Sequence, residues 1–393
     1  MKIREYGVAI GQLPTGEKND ITDVPDVRVG HVTIQRELEG DQEYACTGVT
    51  AIVPHGGSLF REKVTAASYV INGFGKTTGL VQVNELGVLE SPIMLTNTFS
   101  VPAVTQGTLE YMLAGHEEIG DKTGTINLVV GECNDSSLNS IRRCVVQPQD
   151  AIEAIQKATN APVEEGAVGA GTGMVTFGYK GGIGSSSRIV SAADASYTVG
   201  VLVLSNFGSK QEFLVDKLFP AGENPLPARE NFFPAGENPL PARENFFPAG
   251  ENPLPARENF FPAGENPLPA EKPTDGSIIM VLATDAPLSD RQLLRVAKRA
   301  GIGLGRTGSH FGHGSGDIVI AFSTAHKIPH KAEGIAETRT QLREDHAVMN
   351  QLFAAAAEAT EEAIYNSLSQ AKTTTGRKGN TVYAFPFERF SNQ

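Results

Sequence analysis

A fourteen-residue unit, FPAGENPLPARENF, begins at Phe219, Phe233 and Phe247, and a truncated fourth copy begins at Phe261 and runs into Glu271. Each full unit carries three prolines and one glycine. Proline has no amide hydrogen, and its ring clashes inside a helix, so neither a helix nor an interior strand persists across 219–270. Polyproline-II or turn conformations are expected there, with disorder as the default. The unit is too short for a solenoid repeat, which needs a supersecondary element per copy. As a docking tract for a proline-reading module it fits poorly, because PLPA lacks a second proline at the usual spacing. The segment reads as a tolerated linker, so the chain on either side of it is expected to build one fold.

The remaining chain shows apolar or alternating runs that predict strands over 27–34, 48–53, 67–71, 93–96, 126–130, 174–179, 197–204, 278–283 and 318–322. Helical signals lie at 79–86, 104–114, 150–158, 289–299 and 347–371, the last rich in Ala and Glu. Strands group in twos and threes between helices, a mixed α/β layering rather than strict βαβ alternation. Glycine-rich stretches at 166–184 and 301–316 read as loops. A formal charge of -12 and a pI near 5.2 argue against nucleic acid or an anionic membrane as partner. No apolar run reaches the length of a membrane span or a secretory signal. Three cysteines, Cys46, Cys133 and Cys144, are too few for a disulfide framework and fit free buried thiols in a cytoplasmic protein.

Immediately after the linker comes Asp275-Gly276-Ser277, and then the β-branched run from Ile278. Asp-Gly is a common turn dipeptide, so a plain turn into a strand is one reading. The other is a cut between Gly276 and Ser277. A serine hydroxyl can attack the carbonyl before it, and glycine there permits the backbone conformations the attack needs. After the cut, Ser277 carries both a hydroxyl nucleophile and an α-amine, whose reference pKa of about 7.7–8.0 lets it serve as base near neutrality. Composition does not choose between the two.

The wider sequence does. DGSIIMVLATDAPLSDRQLLRVAKRAGIGLGRTGS, from Asp275, resembles the nucleophile region of the L-aminopeptidase/D-amidase-esterase family, which includes the β-aminopeptidases. NDITDVPDVRVGHVT (19–33), TGVTAIVPH (47–55), TNTFSVPAV (96–104), EEGAVGAGTGM (164–174), GSGDIVIAFSTAH (314–326) and GNTVYAFP (379–386) resemble other family stretches in kind and order. The resemblance implies an αββα sandwich similar to the N-terminal-nucleophile hydrolases with different strand connectivity. It also implies autoproteolysis, giving an α chain of 1–276 and a β chain of 277–393, assembled as a homo-oligomer of α/β heterodimers. No metal or organic cofactor is implied.

By that resemblance Ser277 matches the nucleophile and Gly276 the residue before the cleaved bond. Ser315 and Asp317, in GSGD, match the pair that orients the nucleophile and relays its proton; relatives often carry Glu where Asp317 stands, one methylene longer. Asn206, in LSNFG, matches an amide that donates to the oxyanion. Glu132, in VVGECND, matches the carboxylate that binds the substrate's free amine. Gly171 and Thr172 are expected near the site without an assigned role. The implied activity is release of N-terminal residues from small peptides, amides or esters. The rivals are an acyltransferase of similar fold or a nylon-oligomer hydrolase, both expected to use threonine, and a non-enzymatic binder working through the repeat.

Other motifs are weaker. GLGRTG (303–308) has the dinucleotide pattern G-x-G-x-x-G but lacks the preceding strand. HFGH (310–313) and HKIPH (326–330) have no third metal ligand at a recognisable spacing. GHGSG (312–316) has its serine in the wrong place for a nucleophile elbow.

Overall fold

The computed structural model describes residues 1–192, 195–219, 276–331 and 334–389. Apart from Phe219, the repeat expected to form a linker lies outside the described residues.

Along the chain run β1 (Arg28–Glu37), β2 (Tyr44–Val53), β3 (Glu62–Gly73), β4 (Val88–Leu89), β5 (Ile93–Asn97) and β6 (Val129–Cys133). A short hairpin follows, β7 (Val175–Thr176) with β8 (Tyr179–Lys180), and then β9 (Ile183–Ala192), β10 (Ala195–Asn206), β11 (Ser277–Thr284) and β12 (Gly316–Pro329). The helices are α1 (Leu80–Leu86), α2 (Val101–Gly115), α3 (Pro148–Gln156), α4 (Val215–Leu218), α5 (Asp290–Ala297), α6 (Ala300–Arg306) and α7 (Val348–Ser369). The two large sheets among the described residues have the orders β1-β2-β5-β6 and β4-β3-β12-β11-β10-β9.

The alternation of side chains along β11 shows how the layers stack. Ile279, Val281 and Ala283 enter a core shared with Ile52 and Leu95 of the first sheet. Ile278, Met280 and Leu282 enter another core with Leu293 of α5 and Leu352, Ala356 and Ala363 of α7. On the outer face of the first sheet, Val49, Ala51 and Met94 pack against Val104 of α2 and Ala151 and Ile155 of α3. The order is helix, sheet, sheet, helix. A strand buried on both faces reads as an unbroken apolar run, which is why 278–283 stands out in the sequence. Each such side chain withdrawn from water contributes about 1.5–3 kcal/mol. Strands β10 and β11, on opposite sides of the undescribed segment, pair antiparallel from Val199↔Thr284 to Asn206↔Ser277.

Several expectations need correction. Strand β9 was not legible, because its GSSSR core is polar. Its serines are buried with partners from elsewhere: Ser185 Oγ donates to Val201 O, Ser186 Oγ to Asn19 Oδ1 and Ser187 Oγ to Asp23 Oδ2. The run 174–179 is a hairpin rather than one strand, since Phe177 and Gly178 both take positive φ, 51° and 68°. That is the geometry of a two-residue hairpin turn. Strand β6 starts at Val129 and so includes Glu132. Glycines 301–305 lie in helix α6, not a loop; a methyl on Gly303 would sit 2.4 Å from the Ala357 carbonyl oxygen, so glycine allows α6 to lie against α7. All three cysteines are free, but Cys144 is exposed, where it closes a surface turn at 141–143.

Candidate active site

Three strand ends meet at Ser277. It is the first residue of β11, the register partner of Asn206 at the end of β10 and of Gly316 at the start of β12. As partners across antiparallel strands, Ser277 and Asn206 send their side chains to the same face. By alternation this is the inter-sheet face, occupied further along by Leu204 and Ile279. The Gly316 N–H donates to Ser277 Oγ at 3.3 Å. Gly316 has room for nothing more: a methyl there would lie 2.6 Å from Phe74 O and 3.4 Å from Ser277 Oγ. Gly276 is equally confined, with its absent methyl 2.6 Å from Phe207 Cα and 2.8 Å from Phe207 Cβ.

Ser315 and Asp317 flank Gly316. Ser315 Oγ donates to Asp317 Oδ1 at 2.7 Å, so the shorter aspartate spans the gap to its neighbour. Asp317 is fully buried, and its Oδ2 has no hydrogen-bond partner among the described residues. Burial pushes its carboxyl up to about 6, against the smaller opposing pull of the Ser315 hydroxyl.

Asn206 is held at both ends. Its Oδ1 accepts from the Val175 N–H at 2.9 Å, and its Nδ2 donates to Asn134 O at 3.0 Å. One N–H of that amide is left over. The hairpin that supplies Val175 also grips the flanking residues, through Thr176 Oγ1 to Ser205 O at 2.9 Å and Phe177 N–H to Phe207 O at 2.7 Å.

Glu132 lies buried in β6. Its Oε1 accepts from the Lys76 N–H at 2.9 Å, and its Oε2 from the Thr98 hydroxyl. The loop after β3 links it to the serine end. Phe74 O abuts Gly316, while a methyl on the adjacent Gly75 would lie 3.5 Å from Glu132 Oε1. Thus Ser277 and Asn206 share one face at the head of β11, Ser315 and Asp317 flank the Gly316 that donates to Ser277, and Glu132 lies across Phe74–Gly75. Gly171 and Thr172 form a tight turn behind Asn206, with Thr172 Oγ1 on Gly169 O at 2.6 Å.

Sequence reasoning missed the residues that orient these groups. Thr98 stands in a stretch read as family-like without a role, and Lys76 and Val175 act through backbone amides that carry no signal in residue type. GLGRTG falls in and just after α6. Among the described residues no group of three or more His, Cys, Asp or Glu side chains is placed to hold a metal.

The profile of peptidase family S58 matches residues 19–382. This chain belongs to peptidase family S58. It is a hydrolase of that family. The β-peptidyl aminopeptidase BapA of Sphingosinicella microcystinivorans is 38% identical over 388 residues, covering 98% of this chain and 89% of BapA. Among solved structures, a Pyrococcus horikoshii protein superposes with a TM-score of 0.81 at 43% identity, covering 99% of this chain and 97% of its own. The L-aminopeptidase D-Ala-esterase/amidase of Ochrobactrum anthropi, described as a prototype for the serine aminopeptidases and a new variant of the Ntn-hydrolase fold, superposes with a TM-score of 0.79 at 32% identity. It covers 99% of this chain and 96% of its own. The layered αββα architecture of this chain is that variant fold.

Proposed function

We propose that this S58 peptidase is a self-processing serine aminopeptidase and amidase-esterase, with Ser277 as nucleophile. The observation that carries this reading is the placement of Ser277 at the head of a buried strand, beside the Ser315–Asp317 pair and in register with Asn206. In processing, Ser277 Oγ attacks the Gly276 carbonyl carbon, the Gly276–Ser277 C–N bond breaks, and the amine nitrogen takes up the hydroxyl proton. Water then opens the resulting ester, leaving a Gly276 carboxylate and a free Ser277 amine. In turnover that amine accepts the hydroxyl proton as Oγ attacks the substrate carbonyl, and passes it to the leaving group. The uncommitted N–H of Asn206 meets the oxyanion, and Ser315 with Asp317 orients the nucleophile. Water hydrolyses the acyl-enzyme.

Glu132 binds the substrate's ammonium, so small peptides, amides and esters with a free amino end are the substrates. The products of processing, 1–276 and 277–393, remain paired through β10 and β11, and assembly of such heterodimers into a homo-oligomer follows the family resemblance. The repeat at 219–270 then falls within the C-terminal part of the first chain. Free thiols fit a reducing, cytoplasmic compartment.

Intact-mass analysis of wild type and Ser277→Ala tests this reading. Two chains, one starting at Ser277, are expected for wild type, together with hydrolysis of aminoacyl p-nitroanilides. A single inactive chain is expected for the variant. A wild type that stays whole and yet hydrolyses the anilide would remove the amine as base.

A further inference from the structure

Behind Asn206 lies a buried cation with no part in the chemistry above. Lys180, at the end of β8, is fully buried. Its Nζ donates to Gly171 O at 3.1 Å, Met174 O at 2.8 Å and Gly181 O at 2.7 Å. Three carbonyls match the three N–H donors of an ammonium. A buried lysine is costly, and burial draws this one down to about 7, against opposing contributions from Cys46 and Asp135. Such a group persists where its hydrogen bonds are made in full.

One of the three contacts reaches the site directly. The Met174 carbonyl and the Val175 N–H belong to the same peptide unit. Lys180 holds that unit by its oxygen, and Asn206 Oδ1 accepts from its nitrogen at 2.9 Å. The unit is planar and stiff, so fixing one end fixes the direction of the other. When protonated, Lys180 also polarises the N–H through the carbonyl and strengthens its bond to Asn206. That bond decides which way the Asn206 amide faces. If the amide flipped, its oxygen would point where its nitrogen now does, and an oxyanion would meet an acceptor. The other two contacts hold the glycine-rich turns at 171 and 181 around the same peptide.

We propose that Lys180 is a positioning residue for the reaction, acting through the Met174–Val175 peptide to hold the Asn206 amide with its N–H toward the oxyanion. This rests on the role given to Asn206 above. A double-mutant cycle between Lys180→Met and Asn206→Ala tests it, with kcat expressed per active serine counted by a fluorophosphonate titrant. Asn206→Ala is expected to lower kcat about 10²–10³-fold, as loss of one oxyanion donor does. Lys180→Met is expected to lower kcat about tenfold or more with KM within about twofold, and to add nothing in the Asn206→Ala background.

If Asn206→Ala keeps the wild-type kcat, the oxyanion reading falls and this inference with it. If Asn206→Ala is impaired while Lys180→Met turns over at the wild-type rate, or the two losses multiply, only the role of Lys180 is overturned. The same holds if Lys180→Met fails to process where Asn206→Ala succeeds. Should Lys180→Met not fold, Lys180→Gln takes its place in the cycle, because its shorter amide still donates hydrogen bonds but cannot supply all three that the lysine makes.

Discussion

Replacing Asp317 by Asn should stabilise the fold at alkaline pH while impairing the enzyme. Burial holds the Asp317 carboxyl at about 6, above its ordinary 3.8, and one of its oxygens has no partner among the described residues. A carboxyl whose pKa is raised by folding binds its proton more readily in the folded state than in the unfolded one. Its burial therefore costs nothing at low pH, and the cost grows as pH rises from about 4 through 6. A shift of roughly two units at about 1.4 kcal/mol each gives about 3 kcal/mol at pH 8 and about 0.5 kcal/mol at pH 4.

Asparagine never ionises, and its oxygen can still accept from Ser315. With an unfolding entropy of about 2.1 cal/mol/K per residue over the 393-residue chain, Asp317→Asn should raise Tm by about 4 °C at pH 8 and by less than 1 °C at pH 4. Calorimetric melts in the Ser277→Ala background keep the processing state constant. In the background of an intact Ser277, the same change should abolish most turnover. A lower Tm at pH 8, or an equal shift at both pH values, would refute the burial argument. Loss of activity with gain of stability is what a strained functional site predicts.

Two further outcomes follow from the geometry. Gly276→Ala should slow the conversion of one chain to two about tenfold or more in an electrophoretic time course, because the added methyl meets Phe207 Cα at 2.6 Å and forcing it in costs about 1–3 kcal/mol; processing at the wild-type rate would mean the backbone is not confined there. Glu132→Gln should raise KM for amino-terminal substrates about ten- to a hundredfold with kcat little changed, since a charge-assisted hydrogen bond contributes about 1.5–3 kcal/mol. An unchanged KM would remove Glu132 as the ammonium site.

Much of the fold was legible because its elements declare themselves locally. Strand β11 shows as an apolar run, and α7 as a long stretch rich in Ala and Glu, residues that favour helix. Strand β9 was hidden, because its polarity makes sense only once Asn19, Asp23 and Val201 are beside it. Helix α6 was hidden because glycine usually weakens a helix, and only the proximity of α7 makes it useful.

For the candidate site, Ser277, Ser315, Asp317, Asn206 and Glu132 were picked out only through stretches that resemble the family, since each alone reads as an ordinary turn, strand-end or surface residue. Their convergence was not legible, because it comes from register. Asn206 opposite Ser277, Gly316 beside it, and a peptide plane held between Lys180 and Asn206 join residues spread along the chain from Met174 to Gly316. The sequence by itself determined the periodic faces, the breaks and the reactive groups, which are local properties of side chains. Only the tertiary structure decided which backbone amides and carbonyls aim those groups, because every residue carries such a backbone and packing alone selects the ones that meet.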